Sequence, residues 1–229
     1  MKVEIISDIA CPWCYVAKTR FWRALREFPG AEQVEVDYLP FQLNPMMPTE
    51  PKPLFDYYID RYGPEFRDDH ASIADVAARE GLEFHMEQAL AVNTLSAHRL
   101  VWLAGNEYGR PTQHAVDEAL MRTYFTDGGN VADLETLIGL AAAAGMDTHR
   151  VRTALSGDNG TEQVQAAIKQ AQERGIHAVP TMMFNERYTV QGAQEVGTYR
   201  KILEKVAAGD ALTIIGDRAA NCNEDTCKL

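Results

Sequence analysis

Two cysteines three positions apart, Cys11-Pro12-Trp13-Cys14, stand between a short apolar run and a helical pattern, and no other feature constrains the chain as much. Val3-Glu4-Ile5-Ile6-Ser7 is brief and rich in β-branched residues, which predicts a buried strand. Pro12 suits the first turn of a helix, where a missing N–H costs nothing. Val16, Ala17, Phe21, Ala24, Leu25 and Phe28 mark one helical face, which stops at Pro29-Gly30. Val34 to Leu39 alternates as a second strand would, so the first 39 residues read as a parallel β-α-β unit with a right-handed crossover.

The last third reads differently. Thr181-Met182-Met183-Phe184 and Tyr188-Thr189-Val190-Gln191 flank Asn185-Glu186-Arg187, which predicts a hairpin, and Val196, Tyr199, Ile202, Leu203 and Val206 predict a helix after it. From about Leu54 to Arg174 the apolar spacing is helical throughout, with breaks at Gly128-Gly129, Gly145 and Ser156-Gly157. Pro45, Pro48, Pro51 and Pro53 make the entry to that region a linker, since so many prolines exclude a regular helix or an inner strand. The expected organisation is a discontinuous α/β domain over 1–53 and 175–208, an inserted helical domain over 54–174, and a tail over 209–229.

Twenty-two basic against thirty-three acidic residues give a net charge of -11, which argues against nucleic acid or an anionic membrane surface as a partner. No apolar run approaches the roughly 18 residues a membrane span needs. The opening MKVEIISDIA carries Glu4 and Asp8 among its apolar residues and shows no secretory pattern, so a cytoplasmic location is expected. In that compartment structural disulfides are rare, and paired cysteines are more often catalytic, redox-sensing or metal-binding.

If the helix begins at Pro12, Cys11 is its N-cap, where unpaired N–H groups and the positive end of the helix dipole favour a thiolate. The thiolate is the nucleophile of disulfide exchange. Cys14 lies one turn further along the same helix, within reach of a mixed disulfide formed at Cys11. A metal site would need about four ligands, and no second C-x-x-C or H-x-x-x-H lies close by; two buried thiols used as apolar filler are the remaining alternative. The strand before and the helix after favour redox chemistry.

CPWC after a first strand, a helical insertion, and Val179-Pro180-Thr181 ahead of the last hairpin together resemble the thioredoxin fold in its DsbA-like form. Ser7-Asp8, Pro12-Trp13, Phe41-Gln42-Leu43-Asn44-Pro45, Asn93-Thr94, Ala97-His98-Arg99, Gly175-Ile176 and Gly192-Ala193-Gln194 resemble more closely one branch of that family. It holds the FrnE-type oxidoreductases, the 2-hydroxychromene-2-carboxylate isomerases and the kappa-class glutathione transferases. The resemblance implies a cis peptide at Val179-Pro180 whose backbone pairs with the substrate strand, and hence substrate-binding roles for Val179 and Pro180; Pro12 and Trp13, beside the nucleophile, are further substrate-binding candidates. The isomerase and transferase members carry serine where this chain has Cys11 and use glutathione. Cysteine at both 11 and 14 therefore points to a thiol-disulfide oxidoreductase, with a glutathione-dependent isomerase or transferase of an aromatic compound as the alternative. Protein or small thiol and disulfide substrates are implied, glutathione among them, with no metal or organic cofactor. Periplasmic DsbA enzymes typically carry histidine where this chain has Trp13; an indole supplies no charge to a thiolate, so a less oxidising couple is expected.

The tail holds a second pair, Cys222 and Cys227, in the polar stretch NCNEDTCKL. Asn221, Asn223 and Asp225 favour turns, so the two thiols can meet. They are candidates for exchanging electrons with Cys11-Cys14, a reading strengthened by FrnE-type proteins that carry such a C-x4-C; a passively oxidised pair and a zinc site with other ligands are the alternatives. His98 sits on a helix among Leu95, Leu100, Trp102 and Leu103 and reads as a structural residue, and Asp8 reads as a cap for the loop before Cys11. Trp13 is expected to stand exposed beside the nucleophile, with Tyr15 and Phe41 lining the same groove.

Overall fold

Lys2–Ser7 forms strand β1, whose Val3, Ile5 and Ile6 are fully buried, and Pro12–Arg26 forms helix α1, with the proline in its first turn. This belongs to a computed structural model that describes residues 1–63 and 66–210 and, beyond them, the backbone of residues 215–216 and 222–223; from 66 to 71 it describes the backbone alone. Strand β2 (Glu35–Pro40) lies parallel to β1 in the register Val3↔Val36 and Ile5↔Tyr38. The expected β-α-β unit is thus the observed one.

Between β2 and the next strand of the main sheet come β3 (Lys52–Pro53), α2 (Leu54–Tyr62), α3 (Phe66–Arg79), β4 (Leu90–Ala91), α4 (Leu95–Leu103), α5 (Arg110–Phe125), α6 (Leu134–Ala143), α7 (Thr148–Ser156) and α8 (Thr161–Glu173). The purely helical reading of this region needs one correction. β3 and β4 pair antiparallel, Lys52↔Ala91 and Pro53↔Leu90. A two-residue ladder carries no period that a sequence can display, and Pro53 is admissible there because the ladder is an edge. The glycine breaks fall between helices as expected.

The chain returns through β5 (Ala178–Val179), β6 (Thr181–Phe184) and β7 (Tyr188–Gln191), followed by α9 (Val196–Ala208). β6 lies antiparallel to β1, and β7 to β6, with Phe184↔Tyr188 closing the hairpin. Asn185 and Glu186 both adopt positive φ, 50° and 55°, the left-handed geometry of a tight turn in which asparagine is tolerated better than most residues. In the tail, β8 (Ile215–Gly216) runs parallel to β7 and β9 (Cys222–Asn223) antiparallel to β5. The main sheet has the order β2-β1-β6-β7-β8.

α1 and α9 pack together on this sheet. Phe21 meets Phe184 and Tyr199 edge to face, with centroids 6.3 and 5.8 Å apart, and so joins α1, β6 and α9 in one core. The helices between β2 and β5 are braced by polar groups as well. Arg99 of α4 donates to the carbonyls of Ala154, Leu155, Gly157 and Asn159, satisfying the open C-terminal end of α7. At Gly160 (φ +82°) a Cβ would stand 2.7 Å from the Trp102 ring, so the chain needs glycine there on two counts.

Candidate active site

The last strand residue of β1, Ser7, leads into the loop Asp8-Ile9-Ala10, and Cys11 then caps α1. Its φ and ψ of -96° and 111° are those of an N-cap, and its Sγ accepts the backbone N–H of Cys14 at 3.3 Å. The Cys11 N–H donates to the Asp8 carbonyl at 3.2 Å. On the other side, the Cys11 thiol lies 3.9 Å from the Val179 carbonyl oxygen, 168 residues away in sequence. Cys11 and Cys14 are both free thiols and both fully buried. Burial pushes the Cys14 thiol well up, with the neighbouring Cys11 adding to the effect; the Asp8 backbone and the Lys18 ammonium pull the other way.

Asp8 organises the loop in front of Cys11. It is 2% exposed, and its Oδ2 accepts the Leu43 N–H at 2.8 Å while its Oδ1 accepts the Ala10 N–H at 3.4 Å. His98 Nε2, from α4, lies 3.2 Å from the same Oδ1. The capping role expected for Asp8 is present, and with it a link that joins the β1–α1 loop, the loop after β2 and the inserted helices. His98 takes the structural place expected of it. Asn93 ties the same region together, accepting from Gln42 Nε2 at 3.1 Å and donating to the Pro45 carbonyl at 2.9 Å.

A buried ion pair that no sequence pattern signals lies beneath the two cysteines along α1. Lys18, one turn beyond Cys14 on α1, bonds to Asp117 of α5, with side chains only 1% and 3% exposed. The Lys18 ammonium also stands 5.4 Å over the Tyr38 ring of β2. Tyr38 OH in turn accepts from Trp22 Nε1 at 2.7 Å and lies 2.6 Å from His114 Nδ1. The only signal in the sequence was the Cys14-to-Lys18 spacing of four, which on most helices places a lysine in water. A cavity of about 510 Å³ lies between the sheet and the inserted helices, and Ser7, Tyr38, His98 and Asp117 are among its lining residues.

The remaining expectations divide. Val179 and Pro180 are buried beside Cys11, and their peptide bond is cis. Pro12 is buried in the first turn of α1. Trp13 is half-buried rather than exposed, and its Nε1 has no hydrogen-bond partner among the described residues. Tyr15 and Phe41 do not line a groove. Tyr15 stacks on Phe84 and donates to Glu118 at 2.9 Å, and Phe41, just past β2, is 1% exposed; both side chains are drawn into the core. The Cys222 backbone pairs with Val179 in the β5–β9 ladder, while Cys227 lies outside the described residues.

The stretch of chain that carries this helix-capping cysteine pair and the cis Val-Pro at the start of the hairpin matches a family model. That model, the DSBA-like thioredoxin domain, covers residues 2–204. The chain belongs to the DsbA-like thioredoxin family. Within that family, a probable DsbA oxidoreductase from Streptomyces coelicolor superposes with a TM-score of 0.83 at 32% identity, over 100% of this chain and 99% of that one. A 2-hydroxychromene-2-carboxylate isomerase gives 0.66 at 17% identity, over 91% and 97% of the two chains. The cytosolic disulfide reductase DsbM from Pseudomonas aeruginosa, in a structure with GSH, gives 0.64 at 19%, over 91% and 100%. The DsbA-like thioredoxin fold with a helical insertion, expected from the sequence, is the fold observed.

Proposed function

We propose that this DsbA-like protein is a thiol-disulfide oxidoreductase in which Cys11 is the nucleophile and Cys14 the resolving thiol. The observation that carries this reading is the seat of Cys11. Its sulfur caps α1, takes the Cys14 N–H, and faces the Val179 carbonyl. In the reductive direction the Cys11 thiolate attacks a client disulfide; one client sulfur leaves as a thiolate and a Cys11–client bond forms. Cys14 then attacks Cys11, the bond to the client breaks, and the second client thiol departs. The oxidative direction is the reverse.

Val179-Pro180 is read as the backbone edge against which a client strand lies, with Trp13 and Pro12 bordering it. The tail supports this, since Cys222 and Asn223 lie antiparallel to Val179 and Ala178 as an added strand would. The register of Cys222, with the C-x4-C spacing of the tail, supports our reading of Cys222 and Cys227 as a pair that exchanges electrons with Cys11-Cys14, in the manner of the FrnE-type branch. Glutathione as the thiol that turns the couple over, and a cytoplasmic setting, are supported by similarity to DsbM, described as a cytosolic disulfide reductase and solved with GSH; among the described residues no helix is long and apolar enough to cross a membrane. The division into 1–53 with 175–208 and an inserted 54–174 is supported by the strand order, in which β1 pairs with both β2 and β6.

Insulin reduction and peptide oxidation by the wild type, Cys11→Ser and Cys222→Ser/Cys227→Ser test the proposal. Cys11→Ser should abolish both activities, and the tail variant should slow turnover while leaving single-turnover capture intact. Full activity in Cys11→Ser would refute the oxidoreductase reading. The similarity to an isomerase favours one other reading, glutathione-dependent chemistry on an aromatic compound; glutathione conjugation that survives Cys11→Ser would establish it instead.

A further inference from the structure

Cys14 has no exposure to water, yet the oxidoreductase reading requires it to act as a thiolate when it resolves a mixed disulfide. Something inside the protein must make that charge tolerable. The ionisable and polar groups around it are few. Cys11 stands at the helix cap, and the Asp8 backbone lies in the preceding loop. Tyr199 approaches from α9, but its hydroxyl is already engaged with the Gln194 N–H and the Gly192 carbonyl. Lys18 is the cation of this set. It follows Cys14 by four residues, so both lie on one side of α1, and a helical side chain leans back over the turn that precedes it.

Lys18 is placed at a cost. A buried lysine–carboxylate pair seldom stabilises a fold better than apolar residues of the same volume would. Around it stand Asp117 and His114 of α5 and the Tyr38 ring of β2. The pair does supply something apolar packing cannot, a fixed positive charge beside a buried thiol, anchored from the inserted helices. We propose that Lys18, held by Asp117, is the cation that lets Cys14 ionise for the resolving step, so that α5 governs how fast the site resolves. The inference rests on the oxidoreductase reading and deepens it.

The step balances without another reagent. The Cys14 Sγ–Cys11 Sγ bond forms as the Cys11 Sγ–client bond breaks, and the electron pair leaves on the client sulfur. The proton lost by Cys14 ends on the released client thiol. Lys18 takes no part in the proton transfer and acts as a positioning residue by its field alone. Asp117 opposes that field as well as holding its source, which gives the two residues opposite effects.

The test uses the full chain with Cys222→Ser/Cys227→Ser, loaded at Cys11 with thionitrobenzoate from Ellman's reagent at low pH. A jump to neutral pH then releases the second thionitrobenzoate as Cys14 attacks, followed by stopped-flow absorbance. Lys18→Met should slow this release roughly tenfold. Asp117→Asn should speed it roughly threefold, and Lys18→Arg should restore the parent rate to within about threefold. Attack by Cys11 on the reagent should change little in all of them. If Lys18→Met leaves Asp117 unpaired and does not fold, Lys18→Met/Asp117→Leu takes its place with the same slowing expected. Release rates that are unchanged, or that move in the same direction for Lys18→Met and Asp117→Asn, would overturn the inference. Absence of any second release in the parent would instead overturn Cys14 as the resolving thiol.

Discussion

Replacing Asp8 by asparagine perturbs the site without changing its shape, and its effect can be worked from three contacts. Oδ2 accepts from Leu43 N–H at 2.8 Å, Oδ1 accepts from Ala10 N–H at 3.4 Å, and His98 Nε2 stands 3.2 Å from Oδ1. Asparagine keeps one acceptor oxygen and puts an NH2 in the other place. If the oxygen stays on Leu43, the NH2 meets Ala10 N–H and His98; if it turns, the NH2 meets Leu43 N–H. A hydrogen bond to a charged group contributes about 1.5–3 kcal/mol, and a buried donor left unmatched costs about 1–3 kcal/mol. The 3.4 Å contact adds little, so we expect Asp8→Asn to lose about 3 kcal/mol. In a chain of 229 residues that corresponds to a melting point lower by roughly 6–12 °C. Urea unfolding at neutral pH of Asp8→Asn, His98→Asn and the double variant measures both the loss and the coupling, for which about 1 kcal/mol is expected between contacting residues. A loss below about 1 kcal/mol, or additive single effects, would refute the account of Asp8 as the buried hub of the loop before Cys11.

Three further outcomes follow from particular contacts. A redox titration of Cys11-Cys14 should give a potential more negative than the roughly -120 mV of DsbA, because Trp13 brings no charge to the site; a value at that figure would reject the argument. His114, its ring centred 4.3 Å from the Trp22 ring and tilted to it, has its pKa lowered by burial, with Lys18 acting in the same direction and Asp117 and Glu118 against it. The folded state therefore binds its proton less readily than the unfolded one, so stability is full above about pH 6.5 and falls as pH drops through that value towards the lower folded pKa. Urea midpoints between neutral pH and pH 5 should show a smaller slope for His114→Gln than for the wild type, and equal slopes would contradict the assignment. Gly160→Ala should cost about 2–4 kcal/mol, from the left-handed backbone and the Trp102 ring together, measured by the same unfolding curves.

Local chemistry made much of this protein readable before any fold was known. Strand β1, the proline at the start of α1, the cap position of Cys11 and the Thr181–Gln191 hairpin each follow from neighbours within a few residues, where steric rules and hydrogen-bond needs act directly. What lay beyond reach were pairings across the chain. Nothing near Lys18 announces Asp117, 99 residues on, and Tyr15 beside the cysteine pair gave no sign that Phe84 and Phe125 would draw it inward. The two-residue strands at Lys52–Pro53 and Leu90–Ala91 exist only because each supplies the other's hydrogen bonds. The sequence by itself determined that two cysteines three positions apart sit at a helix N-terminus, since that depends on residue type and on contacts of short range. Tertiary structure alone decided what surrounds them: the Val179 carbonyl, the Asp8–His98 link and the buried Lys18–Asp117 pair come from strands and helices far apart in the chain, brought together when the core closes.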